Sequence, residues 1–319
     1  MSLDDTRSPQ GGAAVNQQLL NDFARVYLAE QRRQQRWRWF WRLMWLGLFT
    51  VVIWSVIEAM PSTAAPSTPH TALVEVRGEI GADAEANADS LNTALRSAFE
   101  DAGAQAVVIR LNSPGGSPVQ AGLINDEIRR LKALHKKKVY AVCEEMCASA
   151  AYYIAAAADN IYVDKASIVG SIGVLMDGFG FVGVMDKLGV ERRLMTAGAN
   201  KGMLDPFSPR NPEQDQFAQA MLDQIHQQFI QVVRTGRGKR LKETPETFSG
   251  LFWNGEQAVQ NGLADQLGSL DHVARDVIKA DEIIDYTVKA NLAERLAKRF
   301  GAAIGSGAVQ AFRSSVSMR

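Results

Sequence analysis

Two side chains that lie far apart in the sequence have the types needed for a nucleophile and its base. Ser149 follows an apolar run at residues 139–143 and opens an alanine-rich helical stretch. A hydroxyl at such a turn lies at the carboxyl edge of a parallel sheet, where α/β proteins place their ligands. Lys201 is the one charged side chain in residues 196–204, and burial keeps a lysine amine neutral so that it accepts protons. The pair predicts acyl transfer through a serine nucleophile. Taken singly, a helix-capping serine and an exposed loop lysine are the ordinary alternatives.

A glycine turn supplies candidate oxyanion donors. Asn112-Ser113-Pro114-Gly115-Gly116-Ser117 stands between a predicted strand and a predicted helix. Glycines at such a turn let backbone N–H groups point into a cleft, close to the positive end of the helix. We expect the N–H groups of Gly115 and Gly116, together with that of Ala150 after the nucleophile, to stabilise a developing oxyanion. An ordinary tight turn is the alternative.

The four histidines do not supply a convincing base. His70 falls in a predicted linker, His135 leads into a lysine run, His226 lies off the apolar face of a helix, and His272 is far downstream. A serine–histidine triad is therefore not expected. Short basic clusters, such as Arg237 with Lys239 and Arg240, are predicted to be solvated surface.

The elements that must position these residues follow an α/β pattern. From residue 72 onward, short apolar runs alternate with helical patterns, which predicts a parallel sheet with crossover helices. Strands are expected at residues 73–76, 106–111, 139–143, 161–163 and 193–195, and helices at residues 90–100 and 118–134. A long amphipathic helix should begin at Pro212, capped by Asn211. Its apolar positions predict one buried face: Phe217, Met221, Leu222, Ile225, Phe229, Ile230 and Val233.

The N-terminal region has the pattern of a membrane anchor. Five of the six tryptophans lie in residues 37–54, five arginines lie in residues 32–42, and residues 43–57 carry no charge. Snorkelling of Arg42 and Glu58 would make residues 39–60 long enough to cross a bilayer. No Lys or Arg follows Arg42 until Arg77, so the N-terminus is predicted to be cytoplasmic. A buried core helix and a cleaved signal peptide are the alternatives.

Several ordered motifs give the chain a family resemblance. Ser149-Ala150-Ala151-Tyr152-Tyr153 is similar to a Ser-Gly-Gly-Tyr-Tyr motif, and Ala197-Gly198-Ala199-Asn200-Lys201, with Pro206-Phe207, is similar to Ala-Gly-x-Tyr-Lys followed by Pro-Phe. The Ser113–Gly116 turn, Gly170-Ser171-Ile172-Gly173-Val174, Trp253-Asn254-Gly255 and Gly262-Leu263-Ala264-Asp265 also match. Across residues 73–278 the chain resembles the signal peptide peptidase A family in its short single-domain form. It departs from the family pattern at Ala150, Ala151 and Asn200, which leaves backbone geometry and substrate preference less defined.

The resemblance implies a fold and an activity. The implied fold is ClpP/crotonase-like, with repeated ββα units, a parallel sheet and covering helices, preceded by one transmembrane helix. The implied activity is that of a membrane-anchored serine endopeptidase with a Ser149–Lys201 dyad, which hydrolyses signal peptides or other apolar membrane-derived peptides. The implied assembly is a homo-oligomeric ring in which neighbouring subunits complete each site. No cofactor, metal or nucleic acid is implied.

Further expectations concern the substrate and the location. An extended peptide is expected to add as a strand along Ser171, Ile172, Gly173, Val174 and Leu175, while the Ser171 hydroxyl orients the Lys201 amine. The expected location is the bacterial inner (plasma) membrane, single-pass, with the catalytic domain periplasmic or otherwise extracytoplasmic. The predicted segments are a cytoplasmic segment at 1–38, the membrane helix at 39–60, a linker at 61–71, the peptidase domain at 72–287, and a C-terminal helix and tail at 288–319.

Two other functions stay open at this point. A crotonase-type acyl-CoA enzyme would share the paired oxyanion donors and a similar Gly-Leu-Ala-Asp ending, although its cofactor is cytosolic. A catalytically inactive scaffold that organises membrane proteins is the other, and the replaced glycines Ala150 and Ala151 favour it weakly.

Overall fold

The computed structural model describes residues 37–55 and 68–288, which belong to two separate units. In the first unit, residues 37–55 form helix α1, whose tryptophans are exposed. Among the described residues, no helix is both long enough and apolar enough to cross a membrane. The described part of the predicted membrane helix, residues 39–55, therefore does not meet these criteria. The remaining part, residues 56–60, lies outside the described residues. The same holds for most of the predicted cytoplasmic segment and linker and for the tail from residue 289 onward.

A mixed, mainly parallel sheet forms the centre of the second unit. Its strands run in the order β6-β5-β3-β2-β1-β8, and β4 joins β3 to β7. All pairings are parallel except that of β5 with β6. The α/β class predicted from the sequence is therefore confirmed. The strands are β1 His70–Arg77, β2 Ala104–Ser113, β3 Lys138–Ala148, β4 Asn160–Val163, β5 Ile168–Gly170, β6 Phe252–Trp253, β7 Gln266–Leu267 and β8 Ile283–Asp285.

The central strands are apolar because both of their faces are covered, as parallel sheets require. On one face, Val74, Ile109 and Ala141 pack beneath helices α2 Ala88–Glu100, α3 Pro118–His135 and α4 Ala150–Ala155. On the other face, a smaller cluster that includes Val108 and Tyr162 packs against α8 Leu270–His272 and the π-helical turn Val273–Ile278. The sheet is thus fixed from both sides, and its carboxyl edge holds the loops between strands and helices.

Strand β3 is longer than its apolar run predicts. Glu144 and Glu145 indicate an end near Cys143, but the strand continues to Ala148 through an irregularity in its register with β2. Leu111 pairs with Cys143 and Ser113 pairs with Cys147, so β3 carries extra residues there. Such a bulge bends a strand and redirects the residues that follow it. In this protein the next residue after the strand is Ser149.

The long helix α6, Pro212–Arg237, begins at an Asn211 cap as predicted. Its predicted continuous buried face is wrong for the first half of the helix. Phe217 is 64% exposed and Met221 36% exposed, whereas Phe229 and Val233 are buried. In the first half of the helix, Ala218 is buried and Leu222 half-buried, but the larger side chains of Phe217 and Met221 are left uncovered by the described part of the domain.

That preceding segment, residues 171–211, is called the arm below. It contains one regular element, α5 Val182–Leu188. The strand predicted at residues 193–195 is wrong, since these residues are exposed and pair with no strand in the described part of the chain. The prediction that His70 lies in a linker is also wrong. Strand β1 begins at His70, and this residue is buried.

The remaining helices close the domain around α6. The 3-10 turn Gly238–Arg240 follows α6, and α7 Gly255–Gln260 precedes β7. Asn254 caps α7 and forms a reciprocal capping box with Gln257. These elements bring the loop of residues 261–265 behind α4.

Candidate active site

Ser149 occupies a strained turn between β3 and α4. Its backbone has φ 53° and ψ −122°, and its side chain makes no capping hydrogen bond. A non-glycine residue in this region costs about 1–3 kcal/mol and persists where the surroundings fix it. Here the Ser149 N–H donates to the Gly170 carbonyl at 2.8 Å, and its own carbonyl accepts from the Tyr153 N–H at 3.0 Å. A sharp strand-to-helix turn of this kind presents a hydroxyl for nucleophilic attack, whereas a capping serine would use its hydroxyl within the helix.

The glycine turn packs directly against Ser149. Gly115 has φ 110°, and a Cβ on it would lie 2.7 Å from the Ser149 Cβ and 2.9 Å from the Ala148 carbonyl oxygen. No larger residue fits at Gly115 without displacing Ser149. Gly116, at φ 140°, is equally tight, because a Cβ there would lie 2.1 Å from the Ile80 carbonyl oxygen. The turn is held by hydrogen bonds from the Ile80 N–H to the Gly115 carbonyl and from the Ser117 N–H to the Ile80 carbonyl, both 2.8 Å.

The backbone donors beside Ser149 differ in their availability. The Gly115 N–H donates to Ser113 Oγ at 3.1 Å. By contrast, no acceptor within the described residues is bonded to the N–H of Gly116 or Ala150. Ala150 also begins α4, where the first N–H groups of a helix have no partner inside the helix. Two of the three predicted oxyanion donors are therefore unoccupied, and the third is used within the turn.

A buried polar network lies behind Ser149. The Tyr152 hydroxyl, one turn along α4 from Ser149, donates to the Leu263 carbonyl at 2.7 Å, and burial raises the pKa of Tyr152 well above its usual range. Arg237 donates to the Gly262 carbonyl at 2.8 Å and forms a bidentate pair with Asp265 at 2.8 and 2.9 Å. Burial alone would raise the pKa of Asp265, but hydrogen bonds from Arg237 and its charge lower it. This network anchors α4 to the C-terminal end of α6.

Arg237 is a residue that sequence reasoning missed. Its charge and its neighbours Lys239 and Arg240 predict solvated surface, yet its side chain is fully buried. The available signal was its spacing, since Arg237 follows the buried Val233 by four residues and so continues the apolar stripe of α6.

The segment that follows β5 turns instead of continuing as a strand. Ser171 has φ 51°, its N–H donates to the Leu251 carbonyl at 2.8 Å, and its carbonyl accepts from the Gly173 N–H at 3.0 Å. The predicted substrate edge, residues 171–175, is therefore not an extended strand in this structure. Its start lies beside the nucleophile, because Gly170 bonds Ser149, while its end projects outward, with Leu175 82% exposed.

Lys201 lies in a turn of the arm and is exposed. Its backbone N–H donates to the Gly198 carbonyl at 3.1 Å, and the neighbouring Asn200 accepts from Gln214 on α6 at 3.3 Å. Within the described part of the chain, the Lys201 side chain has no hydrogen bond or ion pair, so the burial predicted around it is not supplied by this chain alone. The structure thus brings together Ser149, the glycine turn and Gly170, but it does not join Lys201 to them.

The arm nevertheless has internal order around Phe207. The rings of Phe181 and Phe207 stack with centroids 5.3 Å apart. Asp205 accepts from Ser208 at 2.6 Å and pairs with Arg192 at 3.3 Å, and these contacts, the Ser208 hydrogen bond first, lower the pKa of Asp205. The turn that carries Lys201 is therefore attached to a small stacked unit.

Comparison with known proteins places this site in a family. The profile of peptidase family S49 matches residues 132–283, which include both Ser149 and Lys201. This domain belongs to peptidase family S49. The family resemblance predicted from the sequence is confirmed, and the predicted enzyme class, a serine peptidase, is the class of the S49 family.

Individual relatives of the S49 domain span several organisms. A putative signal peptide peptidase SppA of Enterococcus faecium is 31% identical over 202 residues, covering 63% of this chain and 58% of that protein. A putative protease of Methanocaldococcus jannaschii is 32% identical over 198 residues, covering 60% and 63%. A Na(+)/H(+) antiporter NhaA of Brucella melitensis is 49% identical over 176 residues, but this stretch is 55% of this chain and only 24% of the antiporter. The chain thus spans a quarter of the antiporter and about three fifths of the two protease relatives.

Proposed function

We propose that the protein is a membrane-anchored serine endopeptidase that uses Ser149 as nucleophile and Lys201 as general base. One observation carries the proposal: Ser149 is held in a strained turn, in contact with a glycine turn, beside two backbone N–H groups without acceptors in the described residues. Strain of this kind occurs where the surrounding structure fixes a reactive group. Membership of the domain in a peptidase family supports the same chemistry.

The proposed reaction is acyl transfer to Ser149 and then to water. Neutral Lys201 takes the proton from Ser149 Oγ as this oxygen bonds to the scissile carbonyl carbon. The N–H groups of Gly116 and Ala150 stabilise the oxyanion, and Gly115 supplies the close packing that fixes the turn. The Lys201 ammonium then protonates the leaving amine as the C–N bond breaks. Water, deprotonated by Lys201, hydrolyses the acyl-enzyme and restores Ser149, while the Ser171 hydroxyl orients the amine.

The base is proposed to come from a second copy of the chain, in a ring-like homo-oligomer. Lys201 is exposed in the single chain, and a lysine must be desolvated to serve as a base near neutral pH. The arm also exposes large apolar side chains, with Met195 96% and Phe179 79% exposed. Exposed apolar surface of this extent is typical of an interaction site. Packing of the arm against a neighbouring subunit would cover these side chains and Lys201 together.

The proposed substrates are cleaved signal peptides or other apolar membrane-derived peptides. They would bind along residues 171–175, which begin beside Ser149, in a ClpP/crotonase-like fold, without a cofactor. The name of the Enterococcus faecium relative supports this substrate class. Residues 39–60 would attach the protein to the plasma membrane, with the N-terminus cytoplasmic and the S49 domain on the other side; the exposed tryptophans and the arginines of the described part of this segment support that placement.

Hydrolysis of a quenched fluorescent apolar peptide tests the proposal. Ser149→Ala and Lys201→Ala should each abolish turnover while circular dichroism stays that of the wild type. Ser97→Ala, on the exposed surface of α2, and Lys187→Ala, on α5 of the same arm, are the matched controls and should keep wild-type rates. A fully active Lys201→Ala protein would refute the base assignment, and an inactive wild type would favour a scaffold.

A further inference from the structure

Helix α6 makes one side-chain contact with the backbone next to the nucleophile. His226, near the middle of the helix, lies with Nε2 3.1 Å from the Ile172 carbonyl oxygen. A carbonyl oxygen only accepts, so Nε2 carries the proton and the imidazole donates. The Ile172 side chain is itself fully buried, so the bond is made to a residue that is already anchored in the domain.

The backbone around this contact is strained. Ser171 is a non-glycine residue at φ 51°, a conformation that persists only where neighbouring contacts over-determine it. Gly170, immediately before it, has no room for a side chain, because a Cβ there would lie 2.8 Å from the Trp253 ring. Two backbone hydrogen bonds hold the turn, from Ser171 N–H to the Leu251 carbonyl and from Gly173 N–H to the Ser171 carbonyl. His226 adds a hydrogen bond from a side chain.

The strained turn is coupled to the nucleophile through Gly170. The Gly170 carbonyl accepts the Ser149 N–H at 2.8 Å, and the turn begins at the next residue. The position of residues 171–175 relative to Ser149 is therefore set within a few bonds of the reacting hydroxyl. A shift of Ile172 would move the peptide-binding backbone while leaving Ser149, which is fixed from β3 and α4, in place.

We propose that His226 is a positioning residue for substrate binding: its imidazole N–H holds the Ile172 carbonyl and so keeps the peptide-binding segment in register with Ser149. The inference rests on the proposed function, because it assigns residues 171–175 to the substrate. His226 is not the general base in this account, because neither of its ring nitrogens is hydrogen-bonded to Ser149 in the described part of the chain, and its one side-chain hydrogen bond there goes to the Ile172 carbonyl.

The test compares two variants at this position in the full-length protein. His226→Leu keeps the bulk and removes the donor, whereas His226→Gln keeps an N–H donor on a flexible side chain. For a quenched fluorescent apolar peptide, His226→Leu should raise KM about three- to tenfold, the effect of one hydrogen bond, with kcat within about twofold of the wild type. His226→Gln should recover most of the wild-type KM. A wild-type KM in His226→Leu, a loss confined to kcat, or a glutamine variant as impaired as the leucine variant would overturn the inference.

A second readout separates this inference from the proposed function. A small fluorophosphonate reacts with Ser149 without occupying residues 171–175, so its labelling rate should be the same in wild type and His226→Leu. If the wild type is not labelled, the proposed function fails. If the wild type is labelled and cleaves peptide but His226→Leu leaves KM unchanged, only the His226 inference fails. Should His226→Leu fold poorly by circular dichroism, His226→Phe removes the donor while keeping a ring, and the same KM criterion applies.

Discussion

The turn that carries Ser149 and the arm that carries Lys201 belong to one chain, yet they are built in opposite ways. Ser149 follows a central strand, and the helix after it is almost wholly buried. Lys201 lies in a segment with a single short helix, and its side chain is exposed. One chain thus builds the Ser149 turn completely, while Lys201 still lacks the low-dielectric surroundings that its proposed role as base requires.

The difference indicates where each half of the site obtains its rigidity. The part of the site around Ser149 is fixed by the sheet, the glycine turn and the Arg237–Asp265 network, all within the domain. The turn that carries Lys201 has few contacts in the described part of the chain, such as the hydrogen bond from Gln214 to Asn200 and the nearby stacked rings of Phe181 and Phe207. Perturbing the first half should therefore damage folding or chemistry directly, whereas perturbing the second should act through assembly.

The largest effect is expected from Arg237 behind α4. Arg237→Leu removes the bidentate partner of Asp265, which then keeps only the 3.1 Å pair with Arg240 and the Ile161 N–H. The free energy of unfolding, measured by urea denaturation, should therefore fall by about 3 kcal/mol, the lower end of the range for a broken buried ion pair. Replacement of the exposed Arg193 by leucine, which breaks only its surface pair with Glu191, is the control and should change stability by about 1 kcal/mol or less.

This pair also gives a pH dependence of stability. The folded pKa of Asp265 lies below its unfolded value, because contact with Arg237 overcomes the opposing effect of burial. Its contribution is therefore present above the unfolded pKa, about 3.9, and is lost as the pH falls through the folded pKa. The difference in the free energy of unfolding between wild type and Asp265→Asn should become smaller below about pH 4. A difference that grows there would contradict a lowered pKa of Asp265 in the folded protein.

The next largest effect is expected at Gly115. A Cβ at this position meets the Ser149 Cβ and the Ala148 carbonyl, so Gly115→Ala should displace the turn and lower kcat by about 10²–10³-fold, the range for loss of an oxyanion donor. Gly178→Ala is the matched control, since a Cβ there meets nothing within 4 Å. Near-normal kcat in Gly115→Ala would show that the contact between the turn and Ser149 is not required.

A smaller effect is expected from the arm surface. Met195→Glu changes a side chain that touches little in the single chain, so folding should be unaffected. If a neighbouring subunit covers Met195, the buried charge should weaken assembly and lower activity by about tenfold, seen by sedimentation and peptide hydrolysis. Ser97→Glu, on the exposed face of α2, controls for added charge. Unchanged assembly and activity in Met195→Glu would show that the arm is not part of the interface.

The sheet and the turn at Ser149 could be predicted from the sequence because their signals are local. Apolar runs at residues 106–109 and 139–143 predict buried parallel strands, and β2 and β3 contain them. The glycine turn comes directly after β2, and Ser149 comes directly after β3, whose last five residues extend beyond its apolar run. Short strands such as β6 and β7, with two residues each, carry no such pattern, because their pairing depends on partners distant in the sequence.

The wrong predictions of burial share a cause. In each of them, the burial of a side chain depends on partners that are distant in the sequence and cannot be inferred from the residue type. Arg237 is charged but buried, because Asp265 and the Gly262 carbonyl satisfy its guanidinium. His70 is polar but buried, because Tyr286 lies 3.0 Å from its Nε2. Conversely, Phe217 is apolar but exposed, since the surface that would cover it is not in the described part of the chain. Burial of Lys201 was predicted from the absence of neighbouring charges alone, and the single chain does not supply it.

Mixing two inactive variants tests the contrast between the two regions most directly. Ser149→Ala supplies an intact Lys201, and Lys201→Ala supplies an intact Ser149. When the two proteins are dissociated, combined and reassembled, peptide hydrolysis should reappear, because a subunit with Ser149 would meet a neighbour with Lys201. A mixture that reassembles but stays inactive would contradict a site shared between chains.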